Sequence, residues 1–263
     1  MRTPGTRIVA GVRWRSVQAL WLRHAVALIR IWKVATTWYL VEPAFALVAV
    51  GFGIGRLVDE VEGGMRYAVF VAPGIIMASA MIHAIFECSW AVFYRITGGF
   101  YETTLTAPVT VTELALGDVT WAMTRALLTT ISVGLVAAVF GWITSPWAVG
   151  ILLAALLVGM EIGALGLIFA ALSPNTHTLS LVFTVVATPL YFFSGSFFPI
   201  AVLPDVLEPL AWALPLTPGV HIAQGFAWGQ LGLTHLWSAL YMVALTAVTL
   251  PVAIRLLKRR LVT

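Results

Sequence analysis

Charge is what this chain has least of. Of 263 residues only 10% are Asp, Glu, Lys or Arg, while 60% are hydrophobic. Soluble domains carry about 25% charged residues, so a soluble fold is excluded. A single transmembrane domain over residues 1–263 is expected. Lysine occurs only at Lys33 and Lys258, and neither follows a glycine. The phosphate-cradling G-x-x-x-x-G-K-[ST] loop is therefore missing, and with it an ATP site of that kind. Cys88 is the single cysteine, which excludes an intrachain disulfide. His24, His83, His177, His221 and His235 are too far apart in sequence to form a local metal pair, and no metal site is expected. A G-x-S-x-G elbow and a serine–lysine motif are also missing. These absences argue against a membrane enzyme and leave a conduit, either driven from outside the chain or passive. No cleavable signal peptide is expected, because the stretch before the first long apolar run is longer than a usual basic leader region.

Acidic residues are missing from both ends. None precedes Glu42 and none follows Glu208, whereas seven of the fifteen Lys and Arg lie between Arg2 and Lys33 and four between Arg255 and Arg260. Basic residues near span ends stay in the cytoplasm, so both termini are expected there, with an even number of crossings. Each crossing needs ~20 apolar residues. Six are placed near Thr36–Val58, Tyr67–Phe93, Leu114–Phe140, Pro146–Leu172, Thr178–Pro199 and His235–Leu257. The expected class is an all-α integral membrane protein, whose +4 net charge suits anionic lipid headgroups rather than nucleic acid.

Three segments do not fit as spans. Residues 13–33 carry Trp14, Val17, Trp21, Leu28 and Trp32 near one helical face with basic residues around it. That pattern suits a helix lying in the headgroup region, as an anchor or as a moving gate. Residues 95–113, cytoplasmic by count, hold a candidate short helix from Glu102 toward Ala107 that stops at Pro108. They read as a linker or as a docking element. Residues 201–234, external by count, hold Pro204, Pro209, Pro215 and Pro218 between apolar stretches too short to span. Non-helical backbone at membrane depth survives only where protein buries it. Two short helices near Asp205–Leu214 and Pro218–Trp228 are therefore expected, forming a re-entrant hairpin.

Together these features resemble the permease subunit of an ATP-binding-cassette exporter of the second type. The resemblance rests on the amphipathic N-terminal helix, six spans and the stretch Tyr101-Glu102-Thr103-Thr104-Leu105-Thr106-Ala107-Pro108. It rests also on Glu113-Leu114-Ala115-Leu116-Gly117-Asp118, on Phe192-Phe193-Ser194-Gly195-Ser196-Phe197-Phe198-Pro199, and on Leu214-Pro215-Leu216-Thr217-Pro218. Phe86-Glu87 and Gly117-Asp118 resemble the permeases of nodulation-factor exporters, which move lipo-chitooligosaccharides. Thr103-Thr104 departs from the commoner alanine-methionine pattern. The resemblance implies a half-transporter in the bacterial inner membrane, paired with a second copy and with a nucleotide-binding ATPase subunit that holds ATP and Mg. It implies no cofactor and no catalysis on this chain. Tyr101, Glu102, Thr103, Leu105 and Pro108 become the implied contacts with that partner. A drug or antibiotic exporter of the same architecture is the alternative, with an intramembrane enzyme or a passive channel behind it.

The remaining candidates are ionisable or aromatic. Glu87, Asp118, Arg125, Glu161 and His83 fall inside spans, where an ionisable residue is a functional candidate by default. Arg125 and Glu161 sit at equal depth on adjacent antiparallel spans, so an Arg125–Glu161 ion pair is expected, with Glu87 as the competing partner and Trp121 offering a cation–π contact. His83 and Glu87, one turn apart, are expected to hydrogen-bond. Glu42 reads as an anchor, snorkelling or pairing with Lys33 or Arg30. Phe86, Trp90, Phe93, Tyr191, Phe192 and Phe197 read either as helix packing or as a sugar-stacking path. Small residues at Gly51, Gly55, Ser194 and Gly195 suggest that the first and fifth spans meet a second copy.

Overall fold

The computed structural model describes residues 11–58, 60–61 and 64–262. Arg2, Arg7, Asp59, Glu62 and Gly63 lie outside the described residues. Six helices are long and apolar enough to cross a membrane: Trp32–Arg56, Tyr67–Thr97, Val111–Val139, Pro146–Leu172, Thr176–Phe193 and Leu233–Leu261. These are the six segments expected from hydropathy, with shifted ends. The fifth span stops at Phe193 rather than Pro199, because Gly195 takes φ +76° and turns the chain out of the helix.

The second span is buried along nearly its whole length. The fourth packs against it and against the third span through small residues. A Cβ at Gly159 would lie 2.6 Å from Met123 Cα, and one at Gly163 would lie 3.2 Å from Ala122 Cβ. A Cβ at Gly166 would lie 2.9 Å from Cys88 Cβ on the second span. Small residues let backbones approach where the hydrophobic effect supplies no drive between helices. The first, fifth and sixth spans form the periphery and expose Phe45, Leu181, Val185 and Leu236. Of the small residues proposed for a subunit contact, Gly55 is half-buried with open room around it, and the other three do not lie on that periphery. A Cβ at Gly51 would come within 2.4 Å of the Trp142 ring, and Ser194 and Gly195 are buried inside their own subunit.

The amphipathic helix runs from Trp14 to Arg30 and breaks at Ile31, so Trp32 starts the first span. Its inward face shares Val17 with the expected one but is turned away from Trp14 and Trp32. Val17, Leu20 and His24 are buried, while Trp14 and Trp32 are exposed. The slot that decides this is Gly117, where a Cβ would sit 2.9 Å from Leu20 Cβ. Two further contacts seat the helix on the third span. Trp21 Nε1 donates to Thr124 Oγ1 at 2.8 Å, and the His24 ring stacks on Trp121 at 5.6 Å.

At the opposite end, a 3-10 turn at Ile200–Val202 leads into short helices at Glu208–Ala213 and Leu216–Trp228. The second of these inserts among the second, fourth and sixth spans, with Leu216, Val220, Ala223 and Ala227 buried along one face. Trp228 belongs to this packing. Its Nε1 donates to the Val69 carbonyl and its ring stacks on Phe70.

Candidate functional site

Among the described residues three spans contain four π-helical turns, at Thr37–Val41, Ala49–Gly53, Glu87–Ala91 and Phe183–Ala187. Such turns are rare and recur at functional sites. All but Ala49–Gly53 contribute residues to one place. A cavity of about 440 Å³ lies between the first, second, third and fifth spans, and Trp38, Tyr39, His83, Phe86, Arg125 and Phe183 line it. Glu42 stands on its wall, with no ion pair to another described residue, so the expected pairing with Lys33 or Arg30 is not formed. The Glu87–Ala91 turn also sets the electrostatics. Eight residues apart on a regular helix, Glu87 and Arg95 would point about 80° apart. The wider turn adds a residue and returns both to one face.

The result is a buried network of alternating charge. Glu87 accepts from Arg95 and from Arg125 on the third span. Arg95 also donates to Asp118 Oδ1 at 3.0 Å, while the Tyr101 hydroxyl donates to Asp118 Oδ2. His24 Nε2 lies 3.2 Å from Asp118 Oδ1, in contact but without hydrogen-bond geometry. Glu87 and Asp118 are almost fully buried, and Arg95 and Arg125 are mostly so. Two carboxylates face two guanidiniums. A lone buried charge is costly, and pairing offsets that cost. The network ties the amphipathic helix, the second and third spans and the segment at Tyr101 to each other.

Several expected pairings are not formed. Arg125 bonds to Glu87, the competing partner, and its guanidinium lies 5.2 Å from the Tyr39 ring rather than on Trp121. Glu161 is fully buried, and neither oxygen has a hydrogen-bond partner among the described residues. His83 does not bond to Glu87. Its ring nitrogens lie 2.9 Å from the Ser79 carbonyl and 3.1 Å from the Trp38 carbonyl, which ties the second span to the first. Sequence reasoning missed Arg95 and His24. It also missed Glu113, which closes a capping box with Thr110 and accepts from Arg13 N and Nε at 2.8 and 3.2 Å. The T-x-x-E spacing at Thr110–Glu113 is a readable signal for the cap.

The segment beside Tyr101 is a helix from Phe100 to Leu105, earlier than the expected Glu102–Ala107. Gly99, at φ +71°, turns the chain back under the second span. Thr103 and Thr104 hydroxyls donate to the Gly99 and Phe100 carbonyls. Glu102, Thr103 and Pro108 are exposed and Leu105 is half-buried. Tyr101 departs from its expected role as a partner contact, because its side chain is fully buried against Asp118.

The aromatic candidates form two clusters. Phe86 stacks on Trp90 at 5.9 Å and meets Phe183 edge-on at 6.2 Å beside the cavity. Tyr191, Phe192 and Phe197 pack mutually at 5.2 Å near the other end of the fifth span. Phe93 is buried beneath the Arg260 guanidinium. Arg260 also donates to the Ala170 and Ser173 carbonyls, satisfying groups left open at the end of the fourth span.

This bundle of six apolar helices has relatives by sequence. Residues 15–228 match the family model of the ABC-2 type transporter. The chain belongs to the ABC-2 type transporter family. Among its relatives is Nodulation protein J of Sinorhizobium fredii, 33% identical over 80% of this chain and 77% of that protein. Nodulation protein J of Rhizobium leguminosarum bv. trifolii is 32% identical over 81% of both chains. Inner membrane transport permease YadH of Escherichia coli is 26% identical over 84% of both. The protein is thus a multi-pass transmembrane subunit of an ABC exporter.

Proposed function

We propose that this chain forms the membrane half of an ATP-driven exporter for a lipid-linked or oligosaccharide-type substrate, working as two copies in the bacterial inner membrane. Both termini lie in the cytoplasm. A separate subunit holds ATP and Mg and docks on Glu102, Thr103, Leu105 and Pro108. The reading is carried by one observation: the short helix is keyed through Tyr101 into the network whose far member, Arg125, lines the cavity. A push on that helix moves Asp118, Arg95, Glu87 and Arg125 together, because each is held by at least one charge-assisted hydrogen bond. Tyr101 therefore acts as the inward end of a lever whose outward end is Glu102.

The cavity suits an amphiphile. Its walls are apolar and aromatic, while Arg125, His83 and Glu42 supply polar contacts. Arg125 keeps a free Nε. A polar headgroup can enter beside the amphipathic helix while an acyl chain stays among the exposed side chains of the first and fifth spans. Similarity to Nodulation protein J of two rhizobial species supports the glycolipid class. The test is reconstitution of the permease with its ATPase in proteoliposomes, with a fluorescent lipo-oligosaccharide and a cationic drug offered side by side. ATP-dependent transport of the glycolipid is expected. Transport of the drug alone contradicts the substrate class.

A further inference from the structure

A second cavity, of about 230 Å³, lies at the hairpin end of the bundle. Aromatic rings of Trp212 and Trp228 line it, together with polar groups from Ser194, Glu208, His221 and Gln224. Several of these groups are uncommitted. Ser194 is fully buried, and its Oγ has no hydrogen-bond partner among the described residues. Glu208 makes no ion pair or side-chain hydrogen bond with another described residue. Gln224 Nε2 donates to the Gly195 carbonyl at 3.2 Å, leaving its Oε1 free. His221 Nδ1 is engaged with Ser238 Oγ at 3.0 Å, leaving Nε2 free. Burial and the neighbouring His235 ring hold the His221 imidazole's pKa down at about 4, so at neutral pH this ring is an uncharged donor or acceptor.

A buried hydroxyl without a partner carries a desolvation cost of about 1–3 kcal/mol. A ligand that supplies hydrogen bonds removes that cost. The cavity offers acceptors at Glu208 and Gln224, groups of both kinds at Ser194 and His221, and ring surface at the two tryptophans. A quaternary ammonium would satisfy Glu208 and the rings, but it has no hydrogen to give Gln224 and none for Ser194 or His221. A fully apolar ligand would strand all four. A pyranose ring fits each demand, with hydroxyls that donate and accept and a C–H face that lies on an aromatic ring.

We propose that this cavity is a sugar site that holds one pyranose ring of the exported molecule on the side opposite the short helix. The assignment rests on the export reading above, but it concerns different residues and a different end of the bundle. The experiment uses the permease with its ATPase subunit in nanodiscs and saturation-transfer NMR with three probes: methyl β-glucopyranoside, an N-acetylglucosamine tetramer and phosphocholine. Ring protons of both sugars should be saturated, and those of phosphocholine should not. E208A and Q224A, at half-buried positions, should each weaken the tetramer by about fivefold, the loss of one net hydrogen bond. The melting temperature should be unchanged in E208A and slightly lower in Q224A, which also loses the bond to the Gly195 carbonyl. Export of the glycolipid should slow in the same variants. Sugars that fail to bind, bind equally to wild type and both variants, or are outdone by phosphocholine overturn the site. Unchanged export by variants that have lost sugar binding overturns its assignment to the exported molecule. Sugar binding in a complex with no ATP-driven transport contradicts the export reading and leaves this cavity's chemistry intact.

Discussion

The two arginines and two carboxylates of the network are balanced, and that balance makes single changes costly. Glu87→Leu leaves Arg125 and part of Arg95 without their counter-charge. Breaking one side of a buried pair costs about 3–5 kcal/mol, so folded yield and melting temperature should drop sharply. Glu87→Leu combined with Arg125→Leu should recover much of the loss in a thermal melt. Arg125→Leu combined with Glu161→Leu should show only the sum of the two single effects, with no coupling between them, because those two side chains do not meet. Tyr101→Phe is gentler. It removes one hydroxyl donating to a carboxylate, a bond of about 1.5–3 kcal/mol. The protein should fold, while transport per ATP hydrolysed falls several-fold in proteoliposomes.

The elements show which parts of the architecture can be read without coordinates. Span number, the short helix and the pair of short helices before the sixth span were legible because hydropathy and proline placement dictate them. Helix faces were less so. Trp14 and Trp32 look like the buried side of the amphipathic helix by polarity, yet Leu20 turns inward because Gly117 on another element leaves room for it. The Glu87–Arg95 bond was hidden by the π turn between them, which shifts the helical register that spacing arguments assume. Arg125 and Glu161 do sit at comparable depth, but depth alone does not fix which way two helices face. The glycines of the fourth span give a test at this scale. Gly159→Leu would drive a side chain into the backbone at Met123, an overpacking cost of about 1–3 kcal/mol or more. Gly134→Leu, with open space around it, should leave the melting temperature unchanged or slightly higher. Equal effects would mean that the third and fourth spans are not closely apposed.

For the whole molecule, the most exposed helices are the first and fifth spans, which also flank the cavity. A second copy seated there would enclose a path that one bundle leaves open. Cysteines at Leu181 and Val185, one turn apart and exposed, should crosslink between subunits in membranes. Cysteines at Leu135 and Val139, exposed on the third span, should not. The central claim is that movement of the Phe100–Leu105 helix reaches the cavity through the charge network. Its most direct measurement is a paired assay of ATPase activity and glycolipid transport in proteoliposomes holding the permease and its ATPase subunit. Wild type is compared with Glu102→Arg and Tyr101→Phe. Both variants should assemble with the ATPase and still hydrolyse ATP, while transport per ATP falls several-fold in each. Transport per ATP that stays at the wild-type value in Tyr101→Phe would contradict that claim.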